Sequence, residues 1–130
     1  MKCPDCQNVL KESKLNDIII DVCEKCEGKW IEKRDLLLYE NKKDEQLKWL
    51  DFKSLGKQTV SQSNSNVKKC PCCMKEMQSL KYSPSKVIVD QCKKCEGIWI
   101  RREEMLKIMS YCGLTEAYGM GYAIFNFLSW

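Results

Sequence analysis

Apolar and polar residues alternate over two stretches that mirror each other. Residues 9–15 and 18–22 set strand formers on either side of the polar pair Asn16-Asp17, and residues 77–82 and 86–91 do the same around Ser83-Pro84-Ser85. The pattern predicts two β-hairpins. Each hairpin is followed by a short apolar step, Trp30-Ile31 or Trp99-Ile100, predicted as a third strand. Residues 35–41 and 103–111 are good helix formers with acids in the first turn, where the helix dipole favours them. Beyond the first helix, residues 41–46 are charged, and Leu47, Leu50 and Leu55, beside Trp49 and Phe52, predict an amphipathic helix ending at Gly56. That stripe has two readings, missing core or a groove for a partner. The run QTVSQSNSN at 58–66 builds no core and reads as a flexible linker.

The two stretches are copies. Cys3-Pro4-x-Cys6 matches Cys70-Pro71-x-Cys73, and Asp21-x-Cys23-x-Lys25-Cys26-Glu27-Gly28-x-Trp30-Ile31 matches Asp90-x-Cys92-x-Lys94-Cys95-Glu96-Gly97-x-Trp99-Ile100. Self-similarity of this length implies one supersecondary unit used twice. Eight of the ten cysteines fall into these Cys-x-x-Cys pairs, separated by residues 7–22 in the first copy and 74–91 in the second. The spacing is that of four-thiolate metal sites: Cys3, Cys6, Cys23 and Cys26 for one, and Cys70, Cys73, Cys92 and Cys95 for the other. Four soft sulfurs in a tetrahedron favour Zn(II), two per chain, with iron as the rival and disulfides or redox dithiols as the non-metal alternative. Residues 1–10 are polar and carry cysteine, which speaks against a secretory leader and for a reducing, cytoplasmic setting.

These motifs resemble the transcription factor IIB-type zinc ribbon family, in particular its small prokaryotic members, over residues 1–40 and 68–109. The resemblance implies a zinc-ribbon fold and the ligand sets above. The expected architecture is a small metal-stabilised α+β protein of two tandem zinc ribbons, each a short antiparallel hairpin plus a third strand followed by a helix, with an apolar C-terminal tail. Its expected divisions are a first ribbon at 1–40, an amphipathic helical extension at 41–56, a polar linker at 57–67, a second ribbon with its helix at 68–112, and an aromatic tail at 113–130. On this reading the chain is two metal-stapled subdomains, with metal binding supplying folding free energy of order 10 kcal/mol that burial cannot. Gly28 and Gly97 are expected to take positive φ at the knuckles, and Pro4 and Pro71 to stiffen the turns between ligands. For Trp30 and Trp99, packing over the metal is preferred to stacking on bases.

Charge separates the halves. The formal net charge is +4, but a zinc ion bound by four thiolates carries −2, which leaves residues 1–56 net negative and residues 57–130 net positive. The basic half offers Lys68, Lys69, Lys93, Lys94, Arg101 and Arg102 as candidate contacts to nucleic acid, against the plainer reading of a solvated surface. The tail carries Tyr118, Tyr122, Phe125, Phe127 and Trp130, candidates for contact with a protein partner. Fold-back onto the ribbons and a membrane surface are its other readings, the last being the weakest because the apolar run is too short to span and has no basic anchor.

Cys72 and Cys112 are left over: Cys72, aligned with Asp5, reads as a bystander, with ligand exchange with Cys73 as the alternative that would break the repeat, and Cys112 ends the second helix. The chain has no histidine, which removes mixed Cys/His sites, His-based acid/base chemistry and Cys-His nucleophiles. Closed four-thiolate shells leave no open coordination position for catalysis. The expected function is therefore non-enzymatic: a zinc-binding adaptor or regulator docking on a larger protein assembly. A nucleic-acid-binding or transcription-associated protein is the alternative, and a thiol redox or metal-transfer protein ranks third.

Overall fold

The computed structural model describes residues 1–15, 17–42, 68–82 and 87–111. The amphipathic segment expected around Leu47 to Leu55, the linker, Cys112 and the aromatic tail lie outside the described residues. Eight elements run in chain order: β1 (Lys11–Leu15), β2 (Ile18–Val22), β3 (Lys29–Ile31), α1 (Lys33–Lys42), β4 (Met77–Tyr82), β5 (Val87–Cys92), β6 (Ile98–Ile100) and α2 (Arg102–Tyr111). Both hairpins, both third strands and both helices stand where the hydrophobic pattern places them, the helices starting a residue or two earlier.

The two copies are not separate in space. All six strands form one antiparallel sheet in the order β1-β2-β3-β6-β5-β4, joined at its centre by β3 and β6. The register there sets Lys29 opposite Ile100, Trp30 opposite Trp99 and Ile31 opposite Ile98. Each copy thus occupies half of a sheet with an approximate two-fold relation through the tryptophan pair. The physical reason is the edge of the third strand. In an isolated ribbon a three-residue strand leaves its outer N–H and C=O groups unpaired, and here each copy supplies the partner for the other.

Alternation gives the sheet two different faces. One face, with Ile20, Ile31, Val89, Ile98 and Ile100, packs with Tyr39 of α1 and with Met105, Ile108 and Met109 of α2 in a single core drawn from both copies. The opposite face gathers Trp30 and Trp99 with Leu10, Met77 and the cysteine pairs. Two buried charged residues meet this packing in different ways. Lys29 on β3 is almost fully buried, and its Nζ donates to the backbone carbonyl of Glu27 at 3.0 Å. Asp35, buried in the first turn of α1, accepts the Ile19 N–H at 2.9 Å and ties that helix to β2. No helix among the described residues is long and apolar enough to cross a membrane.

Candidate metal centres

Each cysteine pair sits on a tight knuckle closed by its own backbone. In the first copy the Cys3 N–H donates to Asn8 O and the Gln7 N–H to Cys3 O, and the same two bonds recur from Cys23 to Gly28 O and from Glu27 to Cys23 O. The second copy repeats the pattern at Cys70 and Cys92. The turn requires positive φ at the residue after the second cysteine: Gln7, Glu27, Met74 and Glu96 lie between 61° and 67°. This corrects the sequence expectation, which gave positive φ to Gly28 and Gly97.

The knuckles bring the sulfurs together as two sets of four. Cys3, Cys6, Cys23 and Cys26 form one and Cys70, Cys73, Cys92 and Cys95 the other, with all Sγ atoms of a set within 4.8 Å of one another. Cys6 lies 3.4 Å from Cys23 and Cys73 lies 3.5 Å from Cys92, sulfur to sulfur. A tetrahedral ion with metal–sulfur bonds of about 2.3 Å needs sulfur–sulfur edges of about 3.8 Å, so the residues fit such an ion. Backbone N–H groups already point at the sulfurs: Asp5 and Cys6 to Cys3, Cys26 to Cys23, Cys72 to Cys70 and Cys95 to Cys92, at 3.2–3.4 Å. Such donors stabilise thiolate.

Electrostatics within each set is uneven. Burial pushes Cys3 up to about 11 and Cys70 up to about 12. A backbone hydrogen bond, at Asn8 in one set and at Lys75 in the other, brings Cys6 and Cys73 down to about 7. Four neighbouring thiolates repel one another, and a divalent cation among them is the charge that allows all four to ionise.

The glycines and tryptophans of the repeat serve the junction between copies. A Cβ on Gly28 would lie 2.4 Å from Cζ2 of Trp99, and a Cβ on Gly97 would lie 2.4 Å from Cζ2 of Trp30. Each indole therefore packs on the bare backbone of the other copy's second knuckle, and both indoles are fully buried. Both indoles are core residues packed with the cysteine sets, and their contacts with Gly28 and Gly97 are exchanged between the copies.

Ion pairs follow the same exchange. Lys33 pairs with Glu96 and Arg102 with Glu27, the latter at 2.8 Å, which are one interaction written twice across the junction. A third set has no counterpart among the described residues. Arg101 reaches Asp5 at 3.2 Å, Asp90 at 2.8 Å and Glu104 at 3.5 Å, Lys68 approaches Asp5 at 3.5 Å, and Trp99 Nε1 donates to Asp5 at 3.3 Å. Asp90 also accepts from the Ser79 hydroxyl at 3.0 Å.

Three of the six basic residues expected to contact nucleic acid, Lys68, Arg101 and Arg102, are thus held by carboxylates of this chain, and Lys69, Lys93 and Lys94 are exposed. Sequence reasoning missed Asp5, Glu27, Asp90 and Glu96 as their partners. The signal was present for two of these pairs, because Glu27/Glu96 and Lys33/Arg102 keep their charges at equal places in the repeat.

The family model described as transcription factor zinc-finger, a TFIIB-type zinc ribbon, matches residues 2–41 and again residues 69–111. No curated protein and no solved structure matches the chain.

Proposed function

Because the chain belongs to the TFIIB-type transcription factor zinc-finger family, with the ribbon present twice, we infer that it is a zinc-dependent docking protein whose paired ribbons are presented to another protein as one rigid body. Family membership and two closed four-thiolate sets make it non-catalytic. Zinc is the metal that the donor chemistry favours, two ions per chain, since four thiolates at tetrahedral spacing suit a soft ion with no geometric demand of its own. Elemental analysis and the visible spectrum of the purified chain separate zinc from iron.

The observation that favours a protein partner over nucleic acid is the internal use of cations. Arg101 and Arg102 are the guanidinium groups best suited to phosphate, and both are engaged by carboxylates across the junction. A phosphate backbone would have to displace those carboxylates. The tail residues Tyr118, Tyr122, Phe125, Phe127 and Trp130 are of the aromatic type that protein-docking segments use.

Affinity purification from the native cell, with the intact chain and with one lacking 113–130, tests this reading. The expected result is a co-purifying protein lost with the tail, while zinc content stays at two per chain. Association with nucleic acid that weakens steeply with salt and disappears on neutralising Lys69, Lys93 and Lys94 would overturn it in favour of the transcription-associated alternative.

A further inference from the structure

The third ion-pair set exists in one orientation only, and its missing twin is chemically distinct. The repeat places Cys72 where the first copy has Asp5, Glu32 where the second has Arg101, Met1 where it has Lys68, Asp21 where it has Asp90, and Asp35 where it has Glu104. On one side of the junction Arg101 and Lys68 neutralise the acids around Asp5, and Trp99 Nε1 donates to Asp5. On the other side the guanidinium is replaced by a carboxylate. Asp21 and Asp35 are buried there, and Arg34, itself largely exposed, comes no nearer to Asp35 than 3.8 Å. The fully buried Trp30 has an Nε1 without a hydrogen-bond partner, and its side chain is among the groups that act on the Cys72 thiol. Cys72 Sγ lies 3.3 Å from the Met1 thioether and 3.8 Å from the Glu32 carboxylate.

We propose that Cys72, Met1 and Glu32 form a third metal site, separate from the two four-thiolate sets, which takes a soft monovalent cation of the copper(I) class. The ligand chemistry selects the ion. A thiolate and a thioether together suit copper(I), whereas a methionine sulfur is a weak ligand for the harder divalent ions. On binding, the Cys72 thiol loses its proton to solvent and forms the metal–sulfur bond, with no change of oxidation state. Met1 Sδ completes a two-sulfur set, and the Glu32 carboxylate faces the cation as a counter-charge. The cation takes the place of the thiol proton, so the net charge of the site is unchanged, and the metal-bound thiolate is a stronger acceptor than the thiol for the partnerless Nε1 of Trp30, as Asp5 is for that of Trp99. Met1 and Cys72 are exposed, so the ion has a path in, and rotation of the Met1 side chain opens the sulfur pair to admit it.

The test uses the full chain with its two four-thiolate sites first shown by elemental analysis to be filled with zinc. One equivalent of copper(I), held in a buffering ligand under anaerobic conditions, is added while a chromogenic zinc chelator reports displacement. The expected result is one copper per chain with both zinc ions retained, and X-ray absorption showing sulfur neighbours. Cys72→Ser should lower the affinity at least tenfold, Glu32→Gln several-fold, and Cys112→Ser not at all. Copper uptake that releases zinc and is indifferent to Cys72→Ser would place the copper in the four-thiolate sites and overturn the proposal. Failure of the zinc-filled chain to bind copper, or loss of binding with Cys112→Ser, would overturn it equally. The serine variant is checked for two zinc ions per chain, so a folding defect is recognised separately.

Discussion

Replacing Gly28 with alanine adds one methyl group and tests the junction directly. Gly28 lies outside the left-handed region, so its backbone accepts alanine, and the loss of chain freedom in the unfolded state alone would stabilise the variant by about 0.4–1 kcal/mol. The native contact argues the reverse. The new Cβ would stand 2.4 Å from Cζ2 and 2.5 Å from Cη2 of Trp99, an indole with no exposed surface. Restoring ordinary contact requires the ring or the knuckle to retreat by about 1 Å in a close-packed interior, and overpacking of that kind costs about 1–3 kcal/mol. Steric cost outweighs entropic gain, so Gly28→Ala should lower stability by about 1–2 kcal/mol in urea unfolding at a fixed zinc concentration. A double-mutant cycle then locates the contact. Trp99→Phe removes the outer indole carbons, and the pair Gly28→Ala with Trp99→Phe should couple by at least about 0.5 kcal/mol, whereas Gly28→Ala with Trp30→Phe should add. Trp30 is two residues from Gly28 in sequence and Trp99 is in the other copy. A neutral or stabilising Gly28→Ala, or coupling to Trp30 in place of Trp99, would refute the exchanged packing.

Three further outcomes follow from the same geometry. Arg101→Ala leaves the buried Asp90 without its cation and Asp5 with Lys68 alone and should cost on the order of 2–3 kcal/mol, read as a shift of the urea midpoint, against less than about 1 kcal/mol for Glu27→Gln in the more exposed Arg102 pair. Lys29 is pushed down to about 8, first by burial and also by nearby Arg102, against the pull of Glu27; its folded value lies below the unfolded one of about 10.5, so the burial penalty is full below pH 8 and disappears as pH rises towards 10.5. Lys29→Ile, which copies Ile98 of the second copy, should therefore stabilise the chain at pH 7 by about 2–3 kcal/mol and by almost nothing at pH 10.5, and an equal gain at both pH values would show that charge burial is not the cause. Cys23→Ser should reduce bound metal from two ions to one and, because the indoles interlock, speed release of the remaining ion to a chelator by roughly tenfold, equivalent to about 1.4 kcal/mol of lost support; an unchanged release rate would mean that the copies fold independently.

Local chemistry was legible in the sequence, and the junction was not. The two clusters of four cysteines, both hairpins and both helices follow from spacing and periodicity because each depends on residues within about 40 positions of one another. The β3–β6 pairing joins two three-residue strands whose sequences, Lys-Trp-Ile and Ile-Trp-Ile, contain no register signal of their own. Without that pairing, Trp30 and Trp99 could only be assigned to their own metal sites, and Gly28 and Gly97 only to backbone conformation. Arg101 and Arg102 suffered likewise. Beside each other in sequence they look like a basic patch, but in the fold they point to different carboxylates, Asp5 and Asp90 for one and Glu27 for the other.

Duplication inside one chain permits what a symmetric pair of identical ribbons cannot. In a true two-fold dimer, each residue of the junction would face the same partner twice, so a mutation that converts an arginine to an acid would act on both sides. Here the residues that hold the halves together, the Gly-x-Trp steps and the Glu27/Arg102 and Glu96/Lys33 pairs, keep their character in both copies. The residues at the ends of the junction differ instead. Arg101 with Asp5 makes one end an ionic clamp, while Glu32 with Cys72 leaves the other end rich in sulfur and carboxylate. Stability can therefore rest on the repeated contacts and the two thiolate sets while one end changes its chemistry. Selection on a ligand or partner would act first at that end, where substitutions leave the shared core and the metal ligands untouched.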